Sequence, residues 1–422
     1  MRDKMVKSRE SVGFWFAAMM CGAILLLTGC GGSDSKAPLA PAPVGNAPSE
    51  SIGGGGEPAG AIEDEIPTVQ EPVVVIPPEI PEVSVEGTFL DLETFPYDAI
   101  FSGGPPRDGI PALNNPLFVE AASVNYVDET DLVLGVVIGG EAKAYPHNIG
   151  WWHEITNDKV GGFPISVTFC PLTSTGLVFA TMDENGEQFE LGVSGLLFNN
   201  NLIMYDRRDG STLYPQIAYK GVEGKRQGER LTLMPVVETT WATWKKMYPD
   251  TKVIATGTYS LSQYSRYPYG DYRTNHEEFL FPLTTPLQAN SNFFTPQFQT
   301  KERVLGVRLQ GAAKAYPFST MGAQAVINDQ IGGGDIVVVR DGEYDVAIPY
   351  SREVDGRILT FEIEPRDVGF FELRDLETGT LWNINGLAID GELVGKRLTQ
   401  IPAHNSMWFA WVTFWQNTDV WQ

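Results

Sequence analysis

Residues 133–167 read VLGVVIGGEAKAYPHNIGWWHEITNDKVGGFPISV, and residues 304–338 read VLGVRLQGAAKAYPFSTMGAQAVINDQIGGGDIVV. At a constant offset of 171 these stretches are identical at 16 of 35 positions. The likeness continues with small gaps. Thr212-Leu213-Tyr214 stands against Thr380-Leu381-Trp382, Arg230-Leu231 against Arg397-Leu398, and Trp241 with Trp244 against Trp408 with Trp411. An internal duplication is therefore expected, with units near 128–255 and 299–422, too long and too few for a solenoid.

Each unit reads the same way. Leu132–Ile138 and Ala142–Tyr145 predict a hairpin turning at Gly139-Gly140, after which Pro146 starts a short helix at its first position. Strands are expected at Ile165–Phe169, Leu177–Thr181, Phe189–Val193 and Leu202–Tyr205. A closing helix is expected near Thr240–Tyr248, capped by Thr239, with Trp241, Trp244 and Met247 at helical spacing. The fold class is α+β and strand-rich, as two homologous tandem units after a disordered tether.

Working outward, residues 256–298 form a Tyr-rich connector, with Tyr259, Tyr264, Tyr267, Tyr269 and Tyr272 read as packing over the junction. Residues 87–255 hold a leading segment plus the first unit, and 299–422 the second, degenerate unit. Residues 31–86 contain 10 Pro, 8 Gly, ten acids, one Lys and no aromatic residue. That composition buries too little apolar surface to offset chain entropy, so 30–86 reads as an acidic, disordered tether.

The N-terminus carries a basic start, an apolar run from Val12 to Leu27, and Leu27-Thr28-Gly29-Cys30. Residues 1–29 read as a signal peptide, the apolar run falling short of the ~20 residues needed to span a bilayer. The last four residues match the lipobox of bacterial lipoproteins, making Cys30 the acylated first residue of the mature chain. Gly31 after the cysteine points, by resemblance to enterobacterial sorting, to an outer-membrane lipoprotein facing the periplasm. The formal charge is −23, and about −25 without residues 1–29. That excludes nucleic acid as a partner, because counterion release needs clustered cations. It leaves a membrane held through lipid and an unknown envelope partner or small molecule.

Cys21 leaves with the signal and Cys30 is acylated, so Cys170 is the one free thiol of the mature chain. The duplication provides an internal control for chemistry. At the positions of His147, Trp152, His153 and Cys170 the second unit has Phe318, Ala323, Gln324 and Asp341. Ser194, Asn199, Asn200, Asn201, Asp206 and Arg207 face Asp367-Val368-Gly369-Phe370-Phe371 with no Asn run. The candidate site lies in unit one.

Cys170 ends an apolar strand before Pro171, so its sulfur is expected to face the amides of Leu172 and Thr173, which lower a thiol pKa. His153 lies 17 residues earlier across one reversal. The pair suits a nucleophile and base, or two ligands of a soft metal such as copper or zinc. The candidate catalytic set is thus Cys170, His153 and Thr173, and the candidate ligand-binding set is Ser194, Asn199–Asn201, Asp206 and Arg207. No Walker loop, His-Glu-x-x-His or Gly-x-Ser-x-Gly occurs.

Gly104-Pro105-Pro106-Arg107-Asp108-Gly109-Ile110-Pro111-Ala112-Leu113, Trp152-His153-Glu154-Ile155-Thr156-Asn157-Asp158, Phe169-Cys170-Pro171-Leu172 and Gly192-Val193-Ser194-Gly195-Leu196-Leu197 carry a resemblance. The chain resembles, over about residues 98–310, an uncharacterised bacterial envelope family, domain of unknown function 3179. The resemblance implies a second cysteine two places after Pro171, and so thiol redox or soft-metal chemistry. Thr173 stands there instead, leaving no partner for dithiol cycling. Two readings follow: a monothiol redox or soft-metal site at Cys170, and a non-enzymatic ligand-binding or envelope assembly module.

Overall fold

In the first half, β1 (Leu132–Ile138) and β2 (Glu141–Pro146) form the expected hairpin. Gly139 and Gly140 close it with φ of 57° and 83°, the left-handed geometry of a primed two-residue turn. α1 (His147–His153) follows, with Pro146 as its extended cap residue and not its first helical one. β3 (Ile155–Val160), β4 (Phe163–Cys170) and β5 (Thr175–Ala180) pair antiparallel in a second sheet. β6 (Leu191–Phe198) and β7 (Asn201–Asp206) make the core of a third. β8 (Val237–Thr240) returns beside β1, and α2 (Trp241–Met247) closes the half. Its cap is Thr240, which accepts from the Thr243 amide, and not Thr239.

The second half runs β9 (Arg303–Leu309), β10 (Ala312–Pro317), α3 (Phe318–Met321), β11 (Gln324–Ile331), β12 (Gly334–Asp341) and β13 (Val346–Ser351). It continues with β14 (Phe361–Glu364), β15 (Glu372–Asp375), β16 (Ala403–Met407) and α4 (Trp408–Phe414). The computed structural model describes residues 91–256, 258–284 and 298–422. The signal peptide, Cys30 and the tether lie outside the described residues. The chain is strand-rich with few helices. Among the described residues no helix is long and apolar enough to cross a membrane.

Residues shared by both halves make the same contacts twice. Tyr145 and Lys143 both reach Asp158, at 2.7 and 2.9 Å, while Tyr316 and Lys314 reach Asp329, each at 2.7 Å. Asn157 brackets the start of β6 through both Leu191 backbone groups, and Asn328 brackets the start of β14 through both Phe361 backbone groups. Trp244 donates to Thr251 and Trp411 to Thr418, both at 2.8 Å. These pairs account for Lys-Ala-Tyr-Pro, Asn-Asp and the helical tryptophans: each satisfies a polar group that burial would otherwise leave unpaired.

The core is shared crosswise. α4 of the second half packs with Leu177, Phe198 and Leu202 of the first. α2 of the first half packs with Val337, Ile348 and Trp382 of the second. Likewise β16 lies on β5, and β8 lies on β13. The same pair of elements meets twice with roles exchanged, the pattern of an isologous interface. At its centre Asn405 donates to Glu238 at 3.0 Å.

Candidate functional site

α1 ends at Glu154, which adopts φ 57° and ψ −34°. A helix commonly ends on a left-handed residue, but Gly or Asn normally takes that place. A β-carbon there costs of order 1–2 kcal/mol. The conformation turns the Glu154 side chain inward, where only 7% of the residue is exposed. Its carbonyl accepts from the Phe169 amide at 2.7 Å, fixing it beside the end of β4. No ion pair with a described cation neutralises this carboxyl, and burial pushes it up from 4.5 to about 8. It borders a narrow, partly open pocket of about 20 Å³ together with His147, Tyr145 and Thr156. That volume suits one water molecule.

Cys170 follows directly, 1% exposed. The amide and hydroxyl of Thr173 and the Leu202 amide favour the thiolate, with Leu202 in place of the Leu172 expected from the turn at Pro171. The lowered pKa does not follow. Burial, then the nearby Glu154 carboxyl, outweigh those donors and push the thiol up from 9.0 to about 11. At neutral pH Cys170 is a thiol, donating to the Asn200 carbonyl at 3.6 Å. Thr173 accepts from Asn201 at 3.0 Å, and Asn201 donates in turn to Gln216 at 2.8 Å. Thr173 and Asn201 therefore belong to the thiol's surroundings.

His153 does not pair with Cys170. Its Nδ1 meets the Pro111 carbonyl and its Nε2 the Tyr264 hydroxyl, each at 2.7 Å, which occupies both ring nitrogens. Cys170 and His153 thus form neither the nucleophile–base pair nor the two-ligand metal pair expected. Among the described residues no group of three or more His, Cys, Asp or Glu side chains could hold a metal.

The polar set divides. Asn199 and Asn200 carry φ of 51° and 60°, forming the two-residue turn between β6 and β7. Their side chains clamp the connector: Asn200 bonds both Phe281 backbone groups, and Asn199 accepts from the Thr284 amide at 2.8 Å. Ser194 donates to the Ile203 carbonyl where the β6–β7 register shifts. Asp206 is fully buried against Arg208 at 2.6 Å. Its counterpart is Asp375, since Asp206 and Asp375 open matching turns, accepting from Gly210 and Gly379. The described partners of Ser194, Asn199, Asn200 and Asp206 are thus parts of the fold itself. Arg207 lies apart from Cys170, on an open cleft with Arg107.

The connector roofs the thiol. Tyr267 donates to the Pro171 carbonyl at 2.9 Å. Burial first, and then nearby groups that include Cys170, push Tyr269 and Tyr272 up. Tyr259 stacks on the His153 ring, with centroids 5.2 Å apart. The tyrosine stripe packs over the site in the first half. Glu154 is the residue that sequence reasoning passed over. The signal existed, since Ala325 stands at its position in the second half.

A family model described as a protein of unknown function, DUF3179, matches residues 107–418. The match runs through the second half, beyond the limit of residue 310 expected from the motifs. No curated protein matches the chain, and no solved structure does.

Proposed function

The chain belongs to the DUF3179 family, defined only as a protein of unknown function, and we propose that its first half binds one soft cation, copper(I) or zinc in class, at Cys170. One observation carries this reading. Cys170 and Glu154 lie near each other in the interior, and each is held neutral by burial with no ion pair to a cation among the described residues. Such a pair resists a first negative charge and resists a second more strongly. A soft cation reverses both penalties, taking the thiolate as ligand and releasing its proton. Redox by a lone thiol is the weaker reading, because the thiolate is scarce at neutral pH and Thr173 occupies the place of a resolving thiol. The mature chain is expected to take up one equivalent of copper(I) against a competing chelator. Cys170→Ser should abolish uptake, and Glu154→Gln should weaken it without removing it. Equal uptake by wild type and Cys170→Ser would refute the reading.

The two halves are proposed to descend from one duplicated unit. The 171-residue offset and the contacts made twice support this, from Tyr145–Asp158 with Tyr316–Asp329 to the exchanged helices. The chain is further proposed to be an exported bacterial lipoprotein, anchored through Cys30 in the outer membrane and facing the periplasm. Leu27-Thr28-Gly29-Cys30 supports that reading, and more than one acyl chain gives a stable anchor. Cys30→Ser should leave the protein unprocessed or release it from the membrane. A membrane-bound mature form beginning at another residue would count against lipidation.

A further inference from the structure

The segment carrying Arg107 is pinned along the sheets of the first half. Gly103 donates to the Gly195 carbonyl at 2.8 Å, Asp108 to Val193 at 2.9 Å, and Asn115 to Asn157 at 2.8 Å. This fixes Arg107 above the Tyr205 ring, 4.4 Å from its centroid, with Nη1 donating to the Gly210 carbonyl at 2.6 Å. Below it opens a cleft of about 610 Å³, lined by Arg107, Asp108, Pro111, Ala112, Tyr205 and Arg207.

The two cations of this cleft are not equally engaged. Arg207 is held by Asp108 at 3.2 Å and Glu190 at 3.1 Å, and Tyr205 donates to the other Asp108 oxygen. Asp108 is thereby used twice within the fold. Arg107 makes no ion pair among the described residues. The lining therefore presents Arg107 as a cation without its own counter-charge, Arg207 being held by both Asp108 and Glu190, beside the apolar surfaces of Pro111 and Ala112. At the positions of Tyr205 and Arg207, counted from the paired Asp206 and Asp375, the second half has Arg374 and Leu376. The second half does not repeat the arrangement at the matching positions.

We propose that this cleft binds a small organic anion, its carboxylate or phosphate group taken by Arg107 and its apolar part laid against Pro111 and Ala112. A guanidinium presents paired donors that match either group. The protein's net charge of −23 repels anions generally. An anion that binds must therefore do so through such a local built site. Its position apart from Cys170 makes it a second site, independent of the soft-cation reading.

Benzoate and phenyl phosphate are suitable probes, followed by calorimetry on the full chain at low and at 0.5 M salt. Binding of one equivalent of either probe is expected, weaker at high salt, and the preferred probe identifies the anionic group. Arg107→Gln should weaken it at least about tenfold, as loss of a charge-assisted contact does. Cys170→Ser should leave it unchanged, which separates failure here from failure of the soft-cation reading. Arg107 is exposed, so the variant is expected to fold, and an unchanged unfolding curve verifies it. Neither probe binding, or equal binding by folded Arg107→Gln, would overturn the proposal.

Discussion

Replacing Trp411 with Ala is expected to destabilise the folded chain by about 3–5 kcal/mol. Trp411 is completely buried, and its ring lies against Gly306 so closely that a β-carbon there would sit 2.0 Å from it. Its indole N–H is satisfied by Thr418 at 2.8 Å. The helix carrying it fills the core of the first half as well as its own. Truncation would open a cavity at the seam between halves. Trp244 sits on Gly135 in the same way, with 2.3 Å to an added β-carbon, so Trp244→Ala should cost a similar amount. Denaturant unfolding monitored by circular dichroism checks both. A cost below about 1 kcal/mol at either position would contradict the crosswise core.

The second large effect is a pH dependence that Glu154→Gln removes. Glu154 holds its proton to about 8 in the folded chain, against 4.5 as the ordinary value. The folded state thus binds the proton more tightly than the unfolded state, and stability from this group is complete below pH 4.5. It is lost as pH rises towards 8. Glu238, pushed up to about 7 by burial, acts in the same direction over a narrower window. His147 and His404 act oppositely. Burial lowers each from 6.5 to about 3, so their contribution is complete above 6.5 and is lost as pH falls towards 3. The opposing groups offset each other between about 4.5 and 6.5, and above that the two glutamates dominate. Glu154→Gln should accordingly match wild type near pH 4.5 and exceed it by roughly 3–5 kcal/mol at pH 9. Unfolding curves at the two pH values give the answer. The same difference at both would mean that Glu154 does not ionise in the interior.

Much of the strand order was legible because hairpin signals are local. Gly139-Gly140, Ala142–Pro146 and the alternating apolar residues of β1 specify turn, register and face within a few positions. The tryptophan helix was legible from spacing alone, but the half that it covers was not. Periodicity reports that a face is buried and carries nothing about its partner, so the exchange of α2 and α4 lay beyond it. His153 was misassigned for a related reason. Its partner Tyr264 lies 111 residues away, whereas chain proximity favoured Cys170. Asn199-Asn200 was legible as a left-handed turn between two strands, and reading it as ligand-binding overlooked that simpler chemistry. Of the thiol's backbone donors Thr173 was anticipated, and Leu202 stands in place of the expected Leu172. Its raised pKa was not, because the strand's pattern gave no measure of how fully the connector encloses the sulfur.

The central claim is a soft cation held at Cys170 beside Glu154. It is tested most directly by metal analysis of the protein extracted from its native membrane, with Cys170→Ser prepared in parallel. The account predicts about one copper or zinc per chain in the wild type and none in the variant. A wild-type protein without either metal, or a variant retaining the same amount, would contradict it.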